Sequence, residues 1–288
     1  MIYAICNPAA GNGRAKKAGL LVKTTLEEKG FGCRLLYTEA PGHATVLAQK
    51  AMEAGAELVL SIGGDGTSLE TARGLIGSDC PLGIIPAGTG NDFVKTLGVP
   101  LKADAALEYI LSHPARKTDV GEINGRIFLN EIGTGFDVSV LDYAEKAKKY
   151  CRGLLPYLYG VIKTLFRFRS IPITYSVDGG AETTLDAFVI GAANGGMIGG
   201  GIPIAPEARA DDGKLDVVIV EKIPRRRLMG RLIGLMQGKI LSFPETRHFR
   251  VTSISFSAPD MRVNVDGEII PEKRVDARVL PGALMIRR

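Results

Sequence analysis

Up to Pro114 the chain alternates short apolar runs with stretches whose apolar residues recur three and four positions apart. The runs Ile2 to Cys6, Cys33 to Tyr37, Glu57 to Ile62 and Leu82 to Pro86 read as strands. Arg14 to Lys29, His43 to Ala54, Ser68 to Ile76 and Ala103 to Ser112 read as the helices that follow them. Such alternation of strand and helix predicts a parallel α/β sheet, in which ligands collect at the carboxyl ends of the strands.

Beyond Pro114 the pattern changes. Asn124-Gly125 lies between two apolar segments, Asp119 to Ile123 and Arg126 to Leu129, which is a strong hairpin signal; Asp178-Gly179-Gly180 and Asp266-Gly267 continue the theme. Two helical interludes, Val138 to Phe168 and Arg225 to Lys239, interrupt this β-rich half. The expected architecture is an α/β N-terminal domain with a parallel sheet over residues 1–118, the tail 278–288 being a candidate to complete it. A mainly antiparallel β-sandwich domain over residues 119–277 would follow, with a cleft between the halves.

The loops carry the candidate chemistry. Gly63-Gly64-Asp65-Gly66-Thr67 follows a strand and precedes a helix, the layout of a phosphate-binding turn: glycines let the backbone approach an anion and helix amides point at it. Asp65 would repel phosphate unless a divalent cation lay between them, so the loop points to a metal-nucleotide site. Pro86-Ala87-Gly88-Thr89-Gly90-Asn91-Asp92-Phe93 repeats the recipe after the fourth strand, and Asp65 with Asp92 could organise Mg²⁺. Asn7-Pro8-Ala9-Ala10-Gly11-Asn12-Gly13 is a third cradle, equally readable as a simple turn. Neither a Walker loop nor a complete Gly-x-Gly-x-x-Gly is present. In the second half, Asp211-Asp212-Gly213-Lys214 and Glu268 read first as solvated turn residues and only second as functional ones.

Bulk properties narrow the class. With 288 residues, 45% hydrophobic and 23% charged, the chain suits a globular protein; no apolar run is long enough for a membrane span, and the start leads straight into a strand, so a cytoplasmic protein is expected. The four cysteines, Cys6, Cys33, Cys80 and Cys151, show no metal-ligand spacing and read as structural. A net charge of +5 fits an anionic partner, but sparse aromatics without Trp argue against nucleic acid.

The ordered motifs Asn-Pro-x-x-Gly (from Asn7), Gly-Gly-Asp-Gly-Thr (from Gly63), Gly-Thr-Gly-Asn-Asp-Phe (from Gly88), Gly-x-Gly-Phe-Asp (from Gly133), Asp-Asp-Gly-x-Leu-Asp (from Asp211) and Val-Asp-Gly-Glu (from Val265) resemble the diacylglycerol kinase catalytic family over essentially the whole chain. The likeness is greatest to its soluble bacterial, YegS-like lipid kinases. It implies the two-domain NAD kinase/diacylglycerol kinase-like fold and ATP-dependent, Mg²⁺-dependent phosphorylation of a lipid hydroxyl. Carried over residue by residue, it assigns nucleotide contacts to Asn7, Pro8, Ala9, Ala10, Gly11, Thr38, Gly64, Asp65, Gly66, Thr67, Ser68, Leu69, Glu70 and Thr89. Asp65, Asp92 and Asp119 match carboxylates that organise Mg²⁺, and Glu268 matches the general base. A second, structural cation would use Asp212 with the carbonyls of Arg209 and Lys214. Ala10 departs from the common Ser of the first motif and removes a hydroxyl contact to phosphate.

The implied partner is a lipid substrate at a membrane surface, reached by peripheral association; a homodimer is compatible with the resemblance. Leu154 to Arg169 is apolar at helical spacing with a basic end, which fits a packed helix first and membrane contact second. The competing readings are an NAD kinase, with only a weak echo of its Asn-Glu motif at Asn130-Glu131, and a nucleotide-binding regulatory module without catalysis.

Overall fold

The computed structural model describes residues 1–147, 149–150 and 155–288. Cys151 and Leu154, both part of the sequence reading, lie outside them. The chain divides into two compact units, Met1–Val120 with Pro281–Arg288, and Gly121–Leu280.

Unit 1 runs β1 (Ile2–Cys6), α1 (Arg14–Glu28), β2 (Cys33–Tyr37), α2 (His43–Glu53), β3 (Leu58–Gly63), α3 (Asp65–Leu75), β4 (Leu82–Pro86), α4 (Asp92–Thr96) and α5 (Ala103–Ser112). The strands are all parallel, in the order β2-β1-β3-β4, with Ile286 of the C-terminal segment beside Leu82. β1, β3 and β4 are buried at every residue because helices cover both faces: α1 packs with α5, and α2 with α3. The chain steps outward from β1 to β2 in one direction and from β3 to β4 in the other. The crevice this reversal opens lies at the carboxyl ends of β1 and β3, where the first two glycine loops emerge.

β5 (Ala115–Ile123) carries the chain from unit 1 into unit 2, which continues with β6 (Arg126–Phe128), β7 (Glu131–Gly135), α6 (Phe136–Ala147), α7 (Leu155–Arg167), β8 (Ile171–Val177), β9 (Thr183–Ala193), β10 (Met197–Ile198), β11 (Ile202–Pro203) and β12 (Leu215–Glu221). It ends with α8 (Leu228–Met236), β13 (Thr246–Val251), β14 (Ser253–Ser257), β15 (Arg262–Val265) and β16 (Glu268–Pro271), and β17 (Val275–Arg287) returns the chain to unit 1. The pairings between β7 and β9, β9 and β12, β12 and β13, β8 and β14, and β14 and β17 are antiparallel. β12 shows the alternation that makes a two-faced sheet: Leu215, Val217 and Ile219 enter the sandwich core, while Val218 and Val220 join a second apolar cluster with Leu165 of α7 and Leu228 of α8. Asn124-Gly125, Asp178-Gly179 and Asp266-Gly267 all hold both residues at positive φ, as tight hairpins require.

Three features differ from the sequence reading. α3 begins at Asp65 instead of Ser68, because Gly64 takes the extended cap conformation and an acidic residue in the first turn suits the helix dipole. The short α4 has no local signature, and the first helical interlude is two helices. Among the described residues no helix is long and apolar enough to cross a membrane.

Candidate functional site

Three loops of unit 1 meet at the carboxyl ends of β1, β3 and β4, and their contacts are largely backbone against backbone. A side chain at Gly88 would come within 2.4 Å of the Gly64 Cα, and one at Gly11 within 1.9 Å of the Ala87 carbonyl oxygen, so only glycine lets the loops touch. Arg14 ties two of them, donating to Gly11 O at 3.0 Å and Gly88 O at 2.7 Å. Asn91, at φ 53°, closes the third by accepting from Gly88 N at 2.9 Å and donating back to Gly88 O at 3.1 Å. Neither role is assigned by motif; an Asn between two glycine-loop residues was the available signal for the second.

Asp65 and Asp92 come together inside this frame. Asp65 Oδ1 accepts from the amides of Asp92 at 2.7 Å and Phe93 at 3.2 Å, at the start of α4. Asp92 Oδ1 pairs with Lys95 Nζ at 3.1 Å. The two Oδ2 atoms converge on Gly90, where a Cβ would lie 2.9 Å from one and 3.2 Å from the other. Burial, and next the Asp92 charge, raises the Asp65 carboxyl above its ordinary range; the amides of Phe93, Asp92 and Asn91 oppose the rise. A buried like-charged pair gains from a cation, and Mg²⁺ takes one or two carboxylates plus waters and phosphate oxygens, so this donor set fits it. Asp119 is 4% exposed, and its Oδ1 accepts from Gly282 N at 2.7 Å, fastening the C-terminal segment. Among the described residues no three acidic, His or Cys side chains gather as a metal-holding group.

The remaining nucleotide candidates divide by position. Asn7 accepts from Ala9 N at 3.1 Å and donates to Thr67 Oγ1 at 3.3 Å, linking the first loop to α3. Pro8, Ala9 and Ala10 lie along that loop, Gly66 and Thr89 are exposed, and Thr38 lies just past β2 with its amide bonded to Cys6 O. Ser68 is buried and its hydroxyl turns to Gly64 O. Leu69 faces the core, and Glu70 accepts from Ala44 N at 3.2 Å at the start of α2, so their side chains serve packing and capping. Cys6 is fully buried and its thiol is pushed up to about 11 by burial; Cys33 and Cys80 are half-buried.

In unit 2 the Asp212 carboxylate already has a cationic partner. It pairs with the Arg250 guanidinium and accepts from Lys214 N at 3.0 Å, while Arg209 pairs with Asp211 at 3.4 Å. A cation here competes with Arg250. Asp212→Ala should therefore lower the melting temperature by a few degrees, as a partly exposed ion pair allows, in Mg²⁺ and in EDTA alike. A loss seen only in Mg²⁺ would mean that a bound cation holds this loop.

Glu268 is exposed on the Asp266-Gly267 hairpin, opposite Val265. Asp266 beneath it is an anchor, accepting from the amides of Leu129 at 2.6 Å and of Asn130 and Glu131 at 2.9 Å. Asn264 also holds the turn: its Oδ1 accepts from Gly267 N at 2.8 Å and its Nδ2 donates to the buried Glu131 at 3.0 Å. The sequence reading placed no role on Asn264, because the Glu131 it holds is 133 residues away in the chain.

Beside this anchor, Asp137 of the Gly-x-Gly-Phe-Asp motif is half-buried, but both its carboxylate oxygens are enclosed and have no hydrogen-bond partner of normal length. Burial pushes its carboxyl up to about 6, against smaller opposing pulls from the Val138 amide and Asn264. Below about pH 4 both native and unfolded chains hold this proton. As pH rises from there towards 6 the unfolded chain releases it first, so stability falls across that window and levels off above it. Asp137→Asn should raise the melting temperature at pH 7 by more than at pH 4, a comparison that equal shifts at both pH values would overturn.

Both halves of the chain match known protein families. The diacylglycerol kinase catalytic domain profile matches residues 1–123, and the YegS C-terminal NAD kinase beta sandwich-like domain profile matches residues 130–288. The diacylglycerol kinase of Mycobacterium tuberculosis (strain ATCC 25618 / H37Rv) is 29% identical across 100% of this chain and 94% of its own length. A Pseudomonas fluorescens protein provisionally assigned as a YegS-like lipid kinase is 33% identical across 89% of this chain and 86% of its own. A Bacillus anthracis crystal structure, provisionally assigned as a diacylglycerol kinase, superposes with a TM-score of 0.81 at 26% identity, covering 99% of this chain and 96% of that one.

Proposed function

Because the chain belongs to the diacylglycerol kinase family of lipid kinases, we propose that it transfers the γ-phosphoryl group of ATP to the hydroxyl of a lipid alcohol, diacylglycerol or a related lipid, in a Mg²⁺-dependent reaction. The observation that carries the reading is the Asp65–Asp92 pair set among glycine loops that meet backbone to backbone. Two carboxylates would repel a triphosphate; a kinase needs them to seat its metal.

Each residue then has a task. Backbone amides of the loops from Asn7 to Gly11 and from Gly64 to Ser68, with those opening α3, bind phosphate oxygens. Thr38 and Thr89 line the nucleotide seat. Asp65 and Asp92 would hold Mg²⁺, and Lys95, 3.1 Å from Asp92 Oδ1, orients that carboxylate. When bound, Mg²⁺ neutralises charge that develops on the phosphate oxygens during transfer. Glu268 accepts the proton of the lipid hydroxyl; proton loss is late in a loose phosphoryl-transfer transition state, so a well-placed carboxylate suffices. The acceptor lipid lies in a bilayer, so the enzyme works at a membrane surface.

Radiolabelled ATP offered with a panel of diacylglycerol, phosphatidylglycerol, sphingoid bases and NAD, in Mg²⁺ and in EDTA, tests this. Label entering one lipid class and only with Mg²⁺ is the expected result. Label in NAD alone, or ATP binding without transfer to any acceptor, would overturn it.

A further inference from the structure

Two helices of unit 2 present apolar side chains to solvent. α7 exposes Leu155 (61%), Leu158 (56%), Tyr159 and Ile162, spaced as one helical stripe. Its other side is committed to packing: Pro156, Gly160, Thr164 and Leu165 are buried, and a side chain at Gly160 would meet the Val140 carbonyl of α6. α8 does the same. Leu228, Leu232 and Leu235 pack inward and Arg231 lies over the Phe243 ring, while Met229 (53%), Ile233 (54%) and Met236 (58%) point outward at a spacing of four and three.

Both helices cover the same apolar cluster on the face of β9 and β12 that lies opposite the sandwich core, so both stripes look away from the same sheet. Charge identifies what would meet them. No Asp or Glu occurs between Lys146 and Val177, nor between Lys222 and Pro244, whereas Lys163, Arg167 and Arg169 accompany α7 and Lys222, Arg225, Arg226 and Lys239 bracket α8. Arg227 and Arg231 are occupied by Glu245, but Arg225 and Arg226 stand exposed.

We propose that the α7 and α8 stripes form a docking face that inserts shallowly into an anionic lipid surface, with the bracketing arginines and lysines on headgroup phosphates. This deepens the lipid-kinase reading, on which it rests for its biological purpose, by naming the surface that meets the bilayer. Apolar side chains on one side of a helix and cations at its margins are what an interfacial helix requires. A second copy of the chain fits less well, because a symmetric contact would bring two acid-free basic faces together.

The test uses the whole protein with vesicles of phosphatidylglycerol and phosphatidylcholine, free of ATP and of acceptor lipid, so that its outcome is independent of catalysis. Wild type should sediment with phosphatidylglycerol-containing vesicles and release as salt rises. M229S/I233S/M236S should weaken binding at least about tenfold with an unchanged melting temperature, since all three side chains are exposed. R225E/R226E should weaken it independently, which a fold defect in the Met/Ile variant would not mimic. Both variants should keep ATP-dependent turnover of a short-chain, water-soluble diacylglycerol. Wild type that ignores anionic vesicles at low salt, variants that bind like wild type, or a wild-type dimer that the triple substitution dissociates would each overturn the proposal. Vesicle binding without phosphorylation of any lipid would instead overturn the kinase reading and leave the docking face standing.

Discussion

Asp65→Asn should leave the protein folded and lower phosphoryl transfer by roughly 10²–10³-fold, the scale on which a single electrostatic contact to developing charge is felt. Asparagine keeps an oxygen at Oδ1 for the amides of Asp92 and Phe93, so α4 retains its start. What is lost is the charge at Oδ2, the atom that shares the Gly90 corner with Asp92. Burial and the Asp92 charge both raise the Asp65 carboxyl, so removing its charge relieves native-state repulsion and the melting temperature should hold or rise. Thermal unfolding beside ATP turnover at saturating Mg²⁺ separates the two effects. Wild-type turnover in the folded variant would refute the metal-seat assignment; unfolding would make Asp65 a structural residue.

Glu268→Gln should lower turnover by roughly 10²-fold or more while ATP affinity and stability are retained, the usual scale for a general base. Its neighbour should behave in the opposite way. Asp266 looks like a bystander in the sequence, yet Asp266→Ala would strip the acceptor from three backbone amides at once. Each hydrogen bond to a charged group is worth about 1.5–3 kcal/mol, and a buried amide left unpaired costs more than an apolar replacement, so a melting-temperature drop of about 10 °C is expected. Activity in that variant would fall with stability rather than at fixed fold. The assignment of the base fails if Glu268→Gln turns over lipid at nearly the normal rate while a folded Asp266→Asn protein is inactive.

What the sequence makes legible is whatever is decided locally. β1, β2, β4 and α5 have the residues that the apolar runs predict, because each is bounded by Gly, Pro, Asn or a charged turn. The three hairpin turns are equally plain, since Asn-Gly and Asp-Gly tolerate the positive φ that tight turns need. The less legible features depend on distant partners. α4 is too short to show a period and starts on a carboxylate 27 residues upstream. Asp212 meets Arg250, 38 residues away, and Asp266 reaches Leu129 across 137 residues. For α7 the spacing announces an amphipathic helix without saying which stripe is covered; Gly160 against α6 decides that, and leaves Leu158 and Ile162 outside.

The segment that closes the parallel sheet has a consequence for synthesis on the ribosome. Gly282 N binds Asp119, Gly77 N bonds to Ala283 O, Arg288 Nε donates to Thr118 Oγ1 at 3.1 Å, and Ile286 lies beside Leu82. Unit 1 thus lacks one strand until all of unit 2 has been translated. Domains generally fold in the order they emerge, at ~5–20 residues per second, so β4 spends roughly 10–40 seconds with its outer edge uncovered. That edge is a template for mispairing, which makes late truncations and slow codons near the 3′ end of the message more damaging to the aspartate loops than their distance in sequence implies.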